Sequence, residues 1–218
     1  NVVLGGGILK RSDLEDKSKY IEGIISGESQ VSLANYEPTK GFNLANVDCE
    51  ISSDGNVNGL KTTVLNAQNA NYFVVFGKQE DSYAFALVSK DAEGLNCTSY
   101  KTYDGFVSGD VKFNNCKAEA VFSTSNALDI LEETILDGLI CVSSEAVGAM
   151  EKCYQLTIEY TKQREQFGQP LSKFQALQHR MVDMFMEAEF TKSFLLKVLA
   201  TNEINEKRKL IYGLKNQV

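Results

Sequence analysis

The sequence predicts an α+β fold, with a helical opening, a strand-rich middle and long closing helices, because the hydrophobic texture changes twice along the chain. From Ser12 to Gly27 the pattern is helical: Leu14, Tyr20, Ile21, Ile24 and Ile25 fall on one face. From about Val31 to Phe122 short aromatic and β-branched runs alternate with turn residues. From about Ser125 to Val218 helical spacing returns. These textures divide the chain at 1–30, 31–123 and 124–218.

In the first segment, Ser12 and Glu15 form a capping-box signature and Gly27 suits a C-terminal cap. Gly5-Gly6-Gly7 has no phosphate-loop continuation and reads as a connection between helices. In the second, Tyr72–Phe76, Tyr83–Val88 and Val107–Phe113 read as strands. Turn residues at 53–56, 91–94, 104–105 and 114–115 separate them, which points to a sandwich or small barrel. In the third, one long helix should run to about Arg164 and break at Gly168-Gln169-Pro170. A second should open at Ser172 with a capping box to Gln175, carrying Phe174, Leu177, Met181, Met184 and Phe185 on one side. A third, from near Asn202, still shows Leu210, Ile211, Leu214 and Val218 on one stripe at the last residue, the pattern of an incomplete helical domain. Asn1 in place of Met likewise points to a chain that has been processed or cut.

Composition excludes several classes. The net charge is −7 and the pI near 4.9, which argues against a nucleic-acid surface. Two or three placed donors can still hold a diphosphate locally. No apolar run reaches the roughly 20 residues of a membrane span. Five cysteines without a C-x-x-C pair, and His179 as the single histidine, argue against zinc. The cysteines are expected to be reduced and buried. Glu203, Glu206, Lys207, Arg208 and Lys209 read as a solvated helix face.

The densest signal is Tyr160-x3-Arg164-x-Gln166-Phe167-Gly168-x-Pro170-x3-Phe174-Gln175, followed by Gln178-His179 and Asp183-Met184. By spacing alone it reads as a packed helix–turn–helix corner. Arg164 at a helix end, with Gln166 and Phe167 beside it, could also present a guanidinium and backbone N–H groups to a diphosphate. The motif resembles the acyl-CoA dehydrogenase family, and the likeness runs from about Asn58 to Val218 over that family's middle and C-terminal domains. Asn58-Gly59-Leu60-Lys61, Asn66-x3-Ala70-Asn71 and Ala146-Val147-Gly148 match further family stretches. Tyr100-x-Thr102-x-Asp104-Gly105 and Ser144–Met150 bring it nearest to the small-subunit type of pimeloyl-CoA dehydrogenase.

The resemblance implies a truncated acyl-CoA dehydrogenase fold, with an N-terminal helical remnant, a β-barrel-like middle domain and an incomplete long-helix bundle. It also implies FAD as cofactor, an acyl-CoA substrate and α,β-desaturation of its thioester. A homo- or hetero-oligomer (dimer or tetramer), electron-transfer flavoprotein as acceptor, and a cytoplasmic or mitochondrial-matrix setting come with it. Arg164 would meet the diphosphate of a neighbouring subunit's FAD, Gln166 and Phe167 would line the flavin or ribityl chain, and Gln175 would lie near the cofactor. From this chain's own β-domain, Tyr36, Gly41, Thr63 and Leu65 take the flavin-facing positions. The family reads T-E-P-x-x-G-S-D where this chain has Tyr36–Asn43, and W-I-T where it has Thr63-Val64-Leu65. Its Thr and Ser donors are therefore replaced by Tyr36 and Phe42, and the Thr near flavin N5 by Leu65. The base that a minority of members place on the first long helix falls on Gly138, and the nearby substrate-anchoring Arg on Leu139. Asp137 and Glu145, the nearest carboxylates, read as helix-surface or capping groups. The alternative is a non-catalytic partner that completes a sister subunit's FAD site.

Overall fold

Three consecutive glycines, each a poor helix former, lie inside the first helix of the computed structural model, which describes residues 2–123 and 125–218. Asn1 and Thr124, where the outer predicted segments begin, lie outside those residues. Helix α1 spans Leu4–Arg11 and turns Ile8 and Leu9 fully inward. A Cβ on Gly5 would stand 2.3 Å from the carbonyl oxygen of Val31. Glycine is the residue that lets the helix approach that strand, so packing overrides propensity and the expected connection is a helix. Ser12 closes α1, its hydroxyl donating to the Leu9 carbonyl at 2.8 Å, and the expected capping box does not form. Helix α2, Lys17–Ser26, starts only after Asp16 and ends at Gly27 with φ 79°, as expected.

Eight strands follow: β1 Val31–Ala34, β2 Glu50–Ile51, β3 Asn56–Leu65, β4 Tyr72–Gln79, β5 Ser82–Ser89, β6 Leu95–Lys101, β7 Val107–Lys117 and β8 Ala120–Phe122. They make one sheet of order β6-β7-β3-β2-β4-β5-β8, with β1 paired to β4. Strands β4 and β5 are buried on both faces. Phe73, Val75, Ala84, Ala86 and Val88 enter one core with Val57, Val64, Val111 and Phe113 of β3 and β7. Phe73 meets Phe113 edge to face at 6.3 Å, so the sheet curls until distant strands touch, a barrel-like closure. The opposite side chains, Val74, Phe76, Phe85 and Leu87, enter a second core with α1, α2 and the start of the next helix. Each such side chain contributes about 1.5–3 kcal/mol through burial.

Between β1 and β3 the chain is tied by a buried ion pair. Lys61 is 0% exposed, and its Nζ lies 2.7 Å from Glu37 Oε1 and 3.3 Å from the Asn35 carbonyl oxygen. Glu37 also accepts the N–H groups of Asp48 (2.6 Å) and Cys49 (3.0 Å), closing the loop between them upon itself. Burial opposes ionisation of Glu37, but the Lys61 hydrogen bond and charge, with those two N–H groups, outweigh it and hold the carboxyl below its ordinary pKa. Burial pushes the neighbouring Cys49 thiol up to about 11. Gly59 has φ 152°, and a Cβ there would stand 2.9 Å from Cys49, so β3 and the loop's end meet where only glycine fits.

The first compact unit ends at Ile135 and the second spans Leu136–Val218. Helix α3, Ala127–Gln163, is the expected long helix and runs from one unit into the other. Helix α4 covers Gln175–Ala200 and α5 Ile204–Gln217. Ser172 is no cap, since it lies in a 3-10 turn and Phe174 stands at the N-terminus of α4 without a side-chain bond. Glu203, expected on a solvated face, is the N-cap of α5 and accepts from Asn205 and Glu206. Leu136, Val147, Leu195, Val198, Ile211 and Leu214 form the core of this unit. The five cysteines are free, but Cys141 and Cys153 on α3 are exposed and Cys97 is half-buried, so burial holds only for Cys49 and Cys116.

Replacing Lys61 with Met strands a buried carboxylate, and urea unfolding should show a loss of about 3–5 kcal/mol. Because the unfolded state binds the Glu37 proton more tightly, the pair's contribution is full above the ordinary carboxylate pKa of about 4 and is lost as pH falls through the lower folded value. In Lys61→Met, unfolding followed between pH 3 and 7 should lose this part of the acid dependence.

Candidate functional site

In the second unit the Arg164 segment is a tight hairpin. Helix α3 stops at Gln163, β9 (Glu165–Gln166) pairs antiparallel with β10 (Gln169–Pro170), and Phe167 (φ 55°) and Gly168 (φ 79°) make the turn. Two positive φ values in succession are the signature of a type I′ turn, whose twist suits a two-residue hairpin. The carbonyl of Arg164 accepts the Leu171 N–H at 2.8 Å, closing the hairpin below the strand pair. Arg164 and Gln166 are exposed, and Phe167 is 92% exposed while its ring meets Phe174 edge to face at 6.2 Å. Gln175 is exposed on the first turn of α4. Among the described residues the Arg164 guanidinium has no ion-pair partner, so the cation is free to meet an anion. The fork geometry of a guanidinium matches two phosphate oxygens at once. This corner fits a diphosphate.

The first unit holds Tyr36, Gly41, Thr63 and Leu65. The carbonyl of Tyr36 accepts the Thr62 N–H at 2.9 Å, which lays the loop from Tyr36 onto β3. Gly41 (φ 66°) and Thr39 (φ 64°) turn that loop, and Phe42, 90% exposed, meets Tyr36 edge to face at 6.3 Å. Thr63 sits in a bulge with its N–H on Asp110 Oδ1 at 3.3 Å. Leu65 is half-exposed in an open cleft of about 600 Å³ with Asn66, Asp104, Phe106 and Val107. Thr102 and the Phe106 N–H hydrogen-bond Asp104 and hold its carboxyl below the ordinary value. The backbone N–H groups of Thr62 and Thr63 are thus already used, and the side chains of Phe42 and Leu65 offer no hydrogen bond. The hydroxyls of Tyr36 and Thr63 are the remaining side-chain donors of the set. Cross-strand from Leu65, the buried Ser108 hydroxyl has no partner.

The predicted residues therefore form two sets, one in each unit. Gly138 brings no side chain to α3, Glu145 is exposed and Asp137 is half-buried there, and His179 is exposed on α4. Phe106 and Asp110 were not singled out from the sequence. Phe106 follows the Asp104-Gly105 turn, which could have marked it as a loop aromatic, whereas nothing in the local pattern marks Asp110. Among the described residues no group of His, Cys, Asp and Glu could hold a metal ion, and no helix is long and apolar enough to cross a membrane.

Residues 128–217 match the sequence family described as the C-terminal domain of acyl-CoA dehydrogenase. Mitochondrial isovaleryl-CoA dehydrogenase of Oryza sativa subsp. japonica is 26% identical over 212 residues, covering 88% of this chain and 50% of that protein. An acyl-CoA dehydrogenase from Geobacillus kaustophilus superposes with TM-score 0.87 at 23% identity, over 97% of this chain and 62% of that one. A glutaryl-CoA dehydrogenase from Mycobacterium smegmatis, in complex with FADH2, gives TM-score 0.84 at 22% identity, over 90% and 53%. The chain spans about half the length of the curated relatives it matches. The resemblance to acyl-CoA dehydrogenases holds, and the fold is theirs over the middle and C-terminal parts.

A bulky residue at φ 55° is strained by about 1–2 kcal/mol, which glycine relieves while giving up the Phe174 ring contact and adding chain entropy, so Phe167→Gly should change stability to urea by less than about 1 kcal/mol.

Proposed function

We propose that this chain, with an acyl-CoA dehydrogenase fold and a C-terminal part matching that family, is a subunit of a flavin-dependent enzyme that desaturates an acyl-CoA thioester between its α and β carbons. The observation that carries the reading is the Arg164 hairpin, an exposed guanidinium without an ion-pair partner among the described residues, at the base of a hairpin whose two-residue turn carries an exposed aromatic ring. In this reading Arg164 grips the diphosphate of FAD, Gln166 and Phe167 line the flavin or its ribityl chain, and Gln175 lies near the cofactor. The neighbour's flavin is the one served, so the enzyme is a dimer or tetramer. Tyr36, Gly41, Thr63 and Leu65 face this chain's own flavin.

Bound FAD would supply a hydride acceptor for the β-hydrogen, and the reaction would also need a carboxylate to take the α-proton. This chain's residues bind and orient: Arg164 neutralises the diphosphate, and the apolar Leu65 and Phe42 exclude water from the ring's side. Gly138 cannot take a proton, so the base is a carboxylate supplied from elsewhere. The reduced flavin needs an electron acceptor, a role that electron-transfer flavoprotein can fill, in the cytoplasm or the mitochondrial matrix.

A second reading makes the chain a non-catalytic partner that completes a sister subunit's FAD site. The apolar Phe42 and Leu65, standing where flavin donors would be, favour it.

The protein in its native assembly should show flavin absorbance that bleaches on addition of an acyl-CoA. Loss of one charged hydrogen-bonding group costs about 1.5–3 kcal/mol, so Arg164→Ala should weaken FAD binding by roughly 10- to 150-fold. No flavin absorbance and no reduction by any acyl-CoA would sink both readings. One FAD per chain excludes the partner reading, and one FAD per two different chains excludes the first.

A further inference from the structure

Strand β3 changes parity in its middle. Lys61 pairs with Val111 and Val64 with Gly109, so Thr62 and Thr63 together oppose the single residue Asp110. That is a β-bulge, and a bulge re-aims every side chain beyond it. Lys61 points inward, fully buried. On a regular strand Thr63 and Leu65 would follow it into the core and Val64 would face out. Instead Val64 is 2% exposed and Leu65 is 48% exposed in the cleft.

The extra residue is costly to place. Thr63 has φ 53°, a left-handed conformation unfavourable for a β-branched side chain by about 1–2 kcal/mol. Asp110 Oδ1 accepts the Thr63 N–H at 3.3 Å and the Tyr100 hydroxyl at 3.1 Å. Tyr100 stands on β6, the strand beyond β7, so the carboxylate is braced from one side and pins the bulge on the other. Strain held in place beside a cleft is a mark of function when the surrounding structure maintains it.

We propose that Asp110 is a positioning residue, which holds the Thr63 bulge and thereby aims Leu65 into the cleft as a ligand-facing wall with Phe106. The wall fits an apolar or planar group, either the flavin ring or the acyl chain. This last step rests on the flavin-dependent reading above, whereas the aiming of Leu65 does not.

The chain contains no tryptophan, so Leu65→Trp in the full protein gives a single reporter at the cleft. Its emission should be that of a half-exposed indole, quenched by acrylamide. Adding Asp110→Ala should shift the emission to the blue and reduce quenching, as the strand slips toward regular pairing and carries the reporter inward. Adding Thr63→Gly to that pair should restore the original emission, because glycine adopts the left-handed conformation without a pin. Unchanged emission in Asp110→Ala, or no restoration by Thr63→Gly, overturns the proposal. If the tryptophan variant does not fold, hydrogen exchange at the Val64 and Leu65 amides gives the same comparison in Asp110→Ala with and without Thr63→Gly. Quenching of the reporter by FAD alone assigns the wall to the flavin ring, and quenching by an acyl-CoA alone assigns it to the acyl chain. With neither ligand quenching and the Asp110 effect intact, the ligand-facing wall fails and the positioning of Leu65 stands, while flavin absorbance of the unsubstituted protein decides the flavin-dependent reading.

Discussion

One carboxylate and one ammonium decide where the β-domain's loop can go. Lys61 and Glu37 are both buried, 2.7 Å apart, and Glu37 spends its remaining lone pairs on the N–H groups of Asp48 and Cys49. Desolvating two charges is expensive, and such a pair is repaid only when further hydrogen bonds complete it. Here they do, so the pair contributes specificity more than raw stability. It welds the start of the loop, the end of the loop and the middle of β3 to one point. Everything from Tyr36 to Cys49 is positioned from that point, including the Tyr36–Phe42 ring pair and the close approach of Gly59 to Cys49. The bulge begins one residue after Lys61. An inward lysine therefore sets the parity from which the bulge departs.

The elements most legible in the sequence were those whose burial matches a simple period. Strands β4 and β5 carry runs of aromatic and β-branched residues because they line cores, β7 alternates in places, and α3 is long enough for its periodicity to be unmistakable. Gly27 marks the end of α2, since its φ of 79° is open to glycine at little cost. The errors share a cause. Gly5–Gly7 looks like a linker because propensity is local, while the reason for glycine there is a strand carbonyl 2.3 Å from where a Cβ would be. Ser12 and Ser172 have the side chain of a cap without the geometry: the Ser12 hydroxyl bonds the Leu9 carbonyl before it, and Ser172 lies in a 3-10 turn ahead of α4. Phe42 and Phe167, hydrophobic by type, are almost wholly exposed on loops, which no burial rule anticipates.

Of the candidate site, the hairpin was legible as a break at Gly168-Gln169-Pro170, but not as a strand pair with Phe167 at positive φ. A phenylalanine in that conformation runs against turn preferences, and such local conflicts concentrate at functional positions. The bulge at Thr63 was not legible at all. Its signal is a count of residues between two strands, and a single sequence does not state which residue faces which. Asp110, half-buried on β7, gains its role only from that count.

The two sets of site residues face different physical demands. Gripping a diphosphate needs a cation and an exposed turn, and the hairpin keeps both without burying anything or relying on a core. Holding a flavin ring by hydrogen bonds needs donors fixed in place before the ligand arrives. In the first unit the N–H groups of Thr62 and Thr63 are already committed to Tyr36 and Asp110, and the side chains at 42 and 65 have no donor. Yet the scaffold around those positions remains rigid: the ion pair, the bulge and the pinned Thr63 are all present. The strain at Thr63, pinned by Asp110, supports the proposal that the Leu65 face meets a ligand by contact rather than by hydrogen bonding.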